Sequence, residues 1–395
     1  MRNYRHAPGQ GRIRSVTDNA VYLDHNATTP VDPAVLDAML PFLRGEFGNP
    51  SSAYPLGRRA HDAVEAARAA VAALIGAAPD EILFTGGGTE SSNHAIRGAA
   101  AMAPPERRRI VTTTVEHPAT EKPCRRLTAA GFSVERLPVD GTGRVALDAA
   151  ERLIDAGTAL VTAIHAQNEL GTLQPITELA TLARRHGALC HADAAQSLGK
   201  VPVDVAALGV DLLTIAGHKL YAPKGVGALY VRRGVRLDPL VDGAGQEGGR
   251  RPGTENVPYI VGLGTACRLA AGRLAEEAVR LDALRGDLQW RLADAVPGLR
   301  VLGHPTDRLP NTLSLLFPGV HGNDVLAAAP EVMASTGSAC HAGDPQPSAV
   351  LLAMGIPPAE ALGAVRLSLG RLTGPAEVER AAAALAAAWR SCRGG

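Results

Sequence analysis

The sequence predicts an α/β fold, with a mostly parallel sheet in a large domain and a smaller α+β domain after it. Over the first 258 residues, strand-like apolar runs alternate with helix-like segments, which is the pattern of a parallel sheet. After about Pro258 the pattern changes to long helices rich in Ala, Arg and Leu around short strands. We therefore expect a flexible leader at 1–20, a large domain at 21–258 and a small domain at 259–395. The first residues of the large domain are expected to contribute to the small one.

The predicted elements follow in order along the chain. The first clear helix spans 57–76, where Gly76 is placed to cap it, and its apolar positions recur about every 3.6 residues: Ala60, Val64, Ala67, Val71 and Leu74. A second helix begins at Glu90, directly after a strand and three glycines. The strand candidates are 81–85, 109–114, 159–166, 188–193, 211–216 and 227–231. The other helix candidates are 176–187, 261–296 and 376–390.

Charge and hydropathy exclude several classes of partner. The chain has 395 residues and a formal net charge of +1, so no basic surface for direct nucleic-acid binding is expected. No apolar run approaches the roughly 18 residues of a membrane span, so no membrane partner is expected. The polar, basic segment 1–19 lacks the apolar stretch of a signal peptide. We therefore expect the protein to be cytoplasmic.

The cysteines predict reduced thiols and no metal site. Five are spread over the chain without a C-x-x-C pair, which disfavours a disulfide framework and structural zinc: Cys124, Cys190, Cys267, Cys340 and Cys392. Most are expected to be buried. Cys340 differs, because the segment 333–348 around it is rich in Gly, Ser, Ala and Pro and predicts an exposed loop. The adjacent His341 would help to form its thiolate, although a chance surface cysteine is the alternative.

Two glycine-rich segments differ in how well they match a ligand-binding pattern. At 84–96, FTGGGTESSNHAI, a strand ends in three glycines before a helix, and the free N–H groups of a helix start suit a phosphate. Thr89 is placed to donate its hydroxyl there, although an ordinary strand-to-helix turn is the alternative. At 243–248, GAGQEG matches the dinucleotide pattern G-x-G-x-x-G, but Gly and Pro follow where a helix should begin. The segment 243–248 is therefore not expected to bind NAD.

Three charged residues lie at strand ends or in strand-like runs. Asp193 ends an apolar strand, where a carboxylate is costly unless it caps a helix or pairs with a cation such as a protonated cofactor ring nitrogen. Lys219 follows the strand-like run 212–215, so its amine lies on a surface loop or in the crevice where α/β sheets bind ligands. Desolvation in that crevice would make it a usable nucleophile. Arg366 is placed to bind the carboxylate of a ligand or to form a structural salt bridge.

Lys219, the glycine turn and Asp193 together fit pyridoxal 5'-phosphate held as a Schiff base. Ten motifs occur in this order: YLDHNATTP, GNPSS, FTGGGTES, VEHPA, QNELG, HADAAQSLGK, GHKLYAPKGVGALYVRR, RRPGTEN, STGSACHA and VRLSLGR. Through them the chain resembles the cysteine desulfurases of the class V aminotransferase fold over about 22–373. Two segments, GQE..RPGTEN and MAS.GSACH...QPS.VLL, are also similar to the selenocysteine lyases of that family.

The resemblance implies roles around the cofactor ring. Lys219 would hold the cofactor aldehyde and later move the α-proton of the substrate. Asp193 would pair with the pyridine nitrogen, and Gln196 with the ring hydroxyl oxygen. His117 would stack on the ring and assist proton transfer, and Asn168 would lie beside the cofactor and the substrate.

The resemblance also implies a phosphate site. Gly88, Thr89 and His218 would hold the phosphate, joined by Thr254 from a second subunit. One donor is missing, because Ala216 stands where many desulfurases have a serine, although selenocysteine lyases also lack that hydroxyl. Gly88 stands where alanine is common, a change that is expected to be harmless.

The activity that the resemblance implies is conversion of L-cysteine to L-alanine by a homodimer. Asn168 and Arg366 would hold the substrate carboxylate. Cys340 would attack the substrate sulfur and carry it as a persulfide on a mobile loop to an acceptor protein. Iron–sulfur assembly, tRNA thiolation, DNA phosphorothioation and a natural-product pathway are all compatible destinations. The alternatives are a selenocysteine lyase, an NAD-dependent oxidoreductase and a non-catalytic sulfur-transfer scaffold. The presence of Lys219, Asp193 and Cys340 together argues against the scaffold, because a non-catalytic protein would have no need of all three.

Overall fold

The computed structural model describes residues 20–337 and 346–394. The strands in these residues, β1 to β12 in chain order, are Val21–Tyr22, Ile82–Thr85, Arg109–Thr113, Ser133–Leu137, Thr158–Ile164, Leu189–Asp193, Leu212–Ala216, Gly227–Val231, Arg300–Leu302, Thr312–Leu316, Val332–Met333 and Ala364–Ser368. The helices, α1 to α12, are Pro33–Arg44, Pro55–Leu74, Gly88–Met102, Pro118–Leu127, Leu147–Leu153, Ile176–Arg185, Val205–Leu208, Val257–Ala295, Gly322–Ala328, Ala349–Ala353, Pro358–Ala361 and Pro375–Gly394.

The large domain is a seven-stranded sheet with the strand order β2-β8-β7-β6-β5-β3-β4. Strands β3 to β7 pair in parallel, and β8 runs antiparallel between β2 and β7. Separate apolar clusters cover the two faces, so the sheet lies buried between helices, as is usual for a mostly parallel sheet. Because parallel strands end at the same edge, the residues that follow β3, β5, β6 and β7 meet there.

A second sheet and a long helix form the other part of the molecule. Strands β12, β10 and β9 pair antiparallel, and the N-terminal β1 pairs with β11. Helix α8 runs through both cores: Val257 and Ile260 pack in the cluster of the large sheet, whereas Leu281 and Leu288 pack against the second sheet. The boundary predicted at 258 therefore falls at the start of one continuous helix.

The bounds of two predicted helices shift by two residues, about half a turn, for local reasons. The helix predicted at 57–76 spans Pro55–Leu74, because a proline suits the first helical position. Gly76 lies beyond its end with φ of 69°, a left-handed conformation that glycine adopts at little cost. The helix predicted to begin at Glu90 begins two residues earlier, at Gly88.

The GAGQEG segment forms no dinucleotide-binding turn. A short 3₁₀ turn, Gln246–Gly249, contains Glu247 with φ of 51°, and no strand is described between β8 and β9. The Glu247 carboxylate accepts hydrogen bonds from Arg68 at 2.7 Å and from the Phe84 N–H at 2.9 Å, which ties the turn to β2. Elsewhere in the described ranges, no helix combines the length and apolar character needed to cross a membrane.

Candidate active site

A cavity of about 950 Å³ opens at the carboxyl edge of the large sheet. We call it the central cavity. It brings together most of the residues predicted to form the site: Gly88, Thr89, His117, Asn168, Asp193, Gln196, His218 and Lys219. These residues come from separate stretches of the chain, and the parallel sheet places them side by side because their strands end at one edge.

The glycine turn forms one wall of the central cavity. Gly87 has φ of 144°, which a side chain would strain, and Gly88 begins α3 with its helix N–H groups free for an anion. Thr89, on the first turn, is exposed. A Cβ on Gly88 would lie 3.0 Å from the Cβ of Ala216, so glycine and alanine here pack closely against each other. The turn therefore offers backbone donors where the phosphate was predicted.

Lys219 follows β7 in a 3₁₀ turn, Gly217–Lys219. Its Nζ donates to the carbonyl oxygens of Asn26 at 2.5 Å and Ala27 at 2.7 Å. Desolvation lowers the pKa of Lys219 to about 8, and the nearby Arg366 charge acts in the same direction. The amine is thus partly neutral near physiological pH, which a nucleophile or a general base requires.

Asp193 ends β6 on the floor of the central cavity and is 4% exposed. It accepts a hydrogen bond from the Ala195 N–H at 2.9 Å, and no arginine or lysine within the described ranges forms an ion pair with it. Burial raises the pKa of Asp193, while His117 and Lys219 act in the opposite direction. A buried carboxylate of this kind matches a cationic group of a ligand, such as a protonated pyridine nitrogen.

His117 caps α4 and faces the central cavity. Its Nδ1 accepts a hydrogen bond from the Ala119 N–H at 3.1 Å, so the neutral ring carries its proton on Nε2. Desolvation lowers the pKa of His117, which favours that neutral form. His218, on the other side, contacts the Thr28 hydroxyl through Nδ1 at 3.2 Å, and desolvation lowers its pKa to about 4.

Arg366 lies in the middle of β12 and does not line the central cavity in the described part of the chain. It donates to an Asp24 oxygen at 2.6 Å and to the carbonyl oxygen of Asn168 at 3.1 Å. Both partners of the ion pair are largely buried. The structural salt bridge left open by the sequence is therefore present, and a substrate carboxylate at this guanidinium must share it with Asp24.

Thr254 and Cys340 are the remaining predicted site residues. Thr254 is exposed on the segment before α8 and does not line the cavity of its own chain. Cys340, predicted as the sulfur acceptor, lies outside the described residues. The described cysteines stay free: Cys124, Cys190 and Cys267 are buried, and Cys392 is partly exposed.

Sequence reasoning missed three residues that support the site. Asn26 accepts from both Lys219 Nζ at 2.5 Å and Gln196 Nε2 at 2.9 Å through one carbonyl oxygen. Lys200 contacts the side chains of Asn26 and Gln196, and Glu116 has a buried carboxyl beside the strand ends. All three lie inside motifs already quoted, so a polar residue within such a motif was the available signal.

The central cavity fits pyridoxal phosphate. It holds an amine with a lowered pKa, a buried carboxylate without a cation and a glycine turn at a helix start, and each suits a different part of that cofactor. No cluster of three or more potential metal ligands is found in residues 20–337 and 346–394.

Comparisons with known proteins show the family of the chain. The family model described as Aminotransferase class-V matches residues 21–381. A cysteine desulfurase from Trichormus azollae is 46% identical over 364 residues, which cover 92% of this chain and 91% of the relative. Among solved structures, a NifS-like protein has a TM-score of 0.88 at 36% identity, covering 95% of this chain and 100% of that one. SspA in complex with cysteine has a TM-score of 0.78 at 36% identity, covering 88% and 98%. The chain therefore belongs to the class-V aminotransferase family, among its pyridoxal phosphate-dependent cysteine desulfurases.

Proposed function

We propose that this enzyme converts L-cysteine to L-alanine and transfers the sulfur to Cys340 for delivery to an acceptor protein. The observation that carries the proposal is that Lys219 and Asp193 line the same cavity. The lysine has a lowered pKa and the aspartate is buried without a cation among the described residues. That the related SspA was solved with cysteine supports L-cysteine as the substrate.

The proposed cofactor contacts follow from the position of each residue. Lys219 anchors the aldehyde, Asp193 pairs with the pyridine nitrogen and Gln196 faces the ring oxygen. The glycine turn, with Thr89 and His218, holds the phosphate. When bound, the cofactor supplies the electron sink for the carbanion chemistry at the substrate α-carbon.

The protein residues then move protons and hold the substrate. With the cofactor and substrate bound, Lys219 would take the α-proton of the substrate, since its pKa of about 8 lies near neutral pH. His117, with its proton on Nε2, faces the same cavity and assists this proton transfer. Asn168 lines that cavity, and together with Arg366 it holds the substrate carboxylate.

Cys340 is the proposed sulfur acceptor. Its thiolate attacks the substrate sulfur, so an S–S bond forms while the bond between sulfur and the β-carbon breaks. The electron pair of that bond stays with the carbon part, which takes up protons and leaves as alanine. The outer sulfur of the Cys340 persulfide then passes to an acceptor protein that docks near Cys340 in the cytoplasm, and the S–S bond breaks to regenerate the Cys340 thiolate. Iron–sulfur assembly is one destination that is compatible with this transfer.

The cofactor site is tested by absorbance of the purified enzyme before and after addition of L-cysteine. We expect a band near the visible edge that shifts with substrate, and we expect Lys219→Ala to lose or alter it. Sulfur transfer is tested separately: Cys340→Ala should abolish alanine formation from L-cysteine, whereas the matched variant Cys392→Ala should not. Full turnover by Cys340→Ala would contradict the proposed acceptor and leave the cofactor site standing.

Selenocysteine lyase activity is the nearest alternative, because two motifs are shared with that group. Selenium leaves carbon more easily than sulfur, so such an enzyme would depend less on Cys340. Alanine formation from L-cysteine and from L-selenocysteine, each in wild type and Cys340→Ala, separates the two. Turnover of selenocysteine alone would replace the proposed substrate.

A homodimer is part of the proposal. Thr254 is exposed and lies outside the cavity of its own chain, while Phe47 and Val241 expose 76% and 59% of their surfaces. Such exposed apolar side chains suit a subunit interface. A second copy would cover them and bring Thr254 to the neighbouring phosphate site.

A heterodimer made from two defective subunits tests whether Thr254 completes the site of the neighbouring chain. We expect heterodimers of Lys219→Ala and Thr254→Ala chains to contain one normal site, because each site takes Lys219 from one chain and Thr254 from the other. Pyridoxal phosphate titration should then show one wild-type affinity per heterodimer. Only weakened binding in the heterodimer would place Thr254 in its own chain's site.

A further inference from the structure

We propose that Lys200 is a positioning residue that fixes the orientation of the Gln196 side-chain amide, so that one amide N–H faces the cofactor ring. The inference rests on the cofactor site proposed above. Lys200 is one of only four lysines in the chain, with Lys122, Lys219 and Lys224. It does not line the central cavity but lies behind Gln196, which does.

The contacts of Lys200 are two side-chain amide oxygens. Its Nζ donates to Gln196 Oε1 at 2.9 Å and to Asn26 Oδ1 at 3.1 Å. Asn311 Nδ2 donates to the same Asn26 oxygen at 3.2 Å. The side chain of Lys200 is partly accessible, but its amine ends on these two oxygens.

Each amide orientation is fixed from its other end as well. Gln196 Nε2 donates at 2.9 Å to the carbonyl oxygen of Asn26, and Asn26 Nδ2 donates at 3.2 Å to the carbonyl oxygen of Asn168. A carbonyl oxygen only accepts, so each nitrogen must face it and each amide oxygen must face Lys200. Gln196 then retains one N–H, for which no described residue supplies an acceptor, at the wall of the cavity.

The charge of Lys200 is compatible with this role. Desolvation lowers the pKa of Lys200 well below its usual value, and repulsion from Lys219 and Arg366 adds to this effect. A neutral amine still has two hydrogens, which serve the two oxygens. Lys200 can therefore hold the amide without adding a second cation beside Lys219.

A double-mutant cycle on cofactor binding tests the proposal. Apoproteins of Lys200→Met, Gln196→Leu and the double variant are titrated with pyridoxal phosphate, and the absorbance maximum of the bound cofactor is recorded. We expect either single change to raise the dissociation constant about 5- to 10-fold and to shift the maximum in the same direction. The double variant should bind no more weakly than Gln196→Leu alone, because Lys200 acts only through that amide. Lys122→Met, at an exposed lysine, should match wild type.

Additive losses in the double variant, or an unchanged dissociation constant and spectrum in a less stable Lys200→Met protein, would overturn the positioning role. If Lys200→Met does not fold, Lys200→Gln keeps a side-chain NH₂ donor and should show a smaller shift of the same sign; wild-type binding in that variant would also refute the proposal. Failure of the proposed cofactor site would look different, since Lys219→Ala would then bind pyridoxal phosphate with the same affinity and absorbance spectrum as wild type.

Discussion

The side chain of Glu116 places an acid next to Asp193 without adding a charge. Its Oε1 accepts from the Thr113 hydroxyl at 2.7 Å and from the Ile164 N–H at 2.9 Å, while its Oε2 is buried without a partner in the described residues. Ile164 pairs directly with Asp193 on the neighbouring strand. Burial raises the pKa of Glu116 to about 8, so the carboxyl stays protonated at neutral pH.

Glu116→Gln is expected to remove a pH dependence of stability. The folded pKa of about 8 lies above the ordinary value of 4.5, so the stabilisation that comes with the proton is complete below about pH 4.5. It is lost as the pH rises to about 8. Urea unfolding at pH 5, 6.5 and 8 should show wild type losing stability relative to Glu116→Gln across this window. The exposed Glu151→Gln serves as control, and parallel curves for Glu116→Gln and wild type would contradict the raised pKa.

At the scale of elements, the glycine turn at 86–88 depends on how closely β7 and β8 approach it. A Cβ on Gly227, at the start of β8, would lie 2.8 Å from the backbone of Gly87 and 2.5 Å from the carbonyl oxygen of Ile215. Backbone atoms cannot yield as a flexible side chain can. The absence of a side chain at one position in β8 therefore shapes the glycine turn on a different segment.

Gly227→Ala is expected to cost about 1–3 kcal/mol of stability and to weaken pyridoxal phosphate binding. Gly272→Ala, on a helix where an added Cβ meets nothing within 4 Å, is the matched control and should keep both. Thermal unfolding of the apoprotein and cofactor titration measure the two effects. Equal binding by the two variants would mean that the turn tolerates displacement.

At the scale of the whole molecule, neutral histidines are distributed through the buried interior. Burial lowers the pKa of His25 and His165 to about 4 and that of His191 to about 3. His191 bridges β5 and β7, contacting the Thr162 and Thr214 hydroxyls at 2.8 and 2.9 Å. Each ring must take a proton when the chain unfolds in acid, and this favours the unfolded state.

The apoprotein should therefore lose stability as the pH falls from about 6.5 towards 4. The folded pKa values of these histidines lie below the ordinary value of 6.5, so their stabilisation is complete above pH 6.5 and is lost as the pH falls. Three such groups outweigh the opposite effect of Glu116. Urea midpoints at pH 7 and pH 5 measure the loss, and the exposed His61→Asn should leave it unchanged. A higher midpoint at pH 5 would contradict the buried neutral state.

The sequence supplied the sheet and the cavity residues at its edge, because hydrophobic runs and strand ends are local patterns. Lys219 and Asp193 could be assigned from such patterns. Lys200 could not, since its contact with Asn26 joins positions 174 residues apart and leaves no periodic signal. Arg366 was placed in its strand correctly, but its pairing with Asp24 depends on packing that only the folded chain shows. The roles of Thr254 and Cys340 stay predictions.

The bonds of Asn26 have a consequence for biosynthesis. The carbonyl oxygen that holds Lys219 belongs to a residue anchored through its own N–H to Ser368, which lies 342 positions later, and through its side chain to Thr312, 286 positions later. Asn26 and these two partners form the platform that supports Lys219. During translation Asn26 leaves the ribosome long before Thr312 and Ser368 have been synthesised. The nascent large domain can form its sheet early, but the platform is completed only when almost the whole chain has emerged. Cofactor loading thus belongs to the finished polypeptide, and a stalled or truncated chain would present the lysine without the support that positions it.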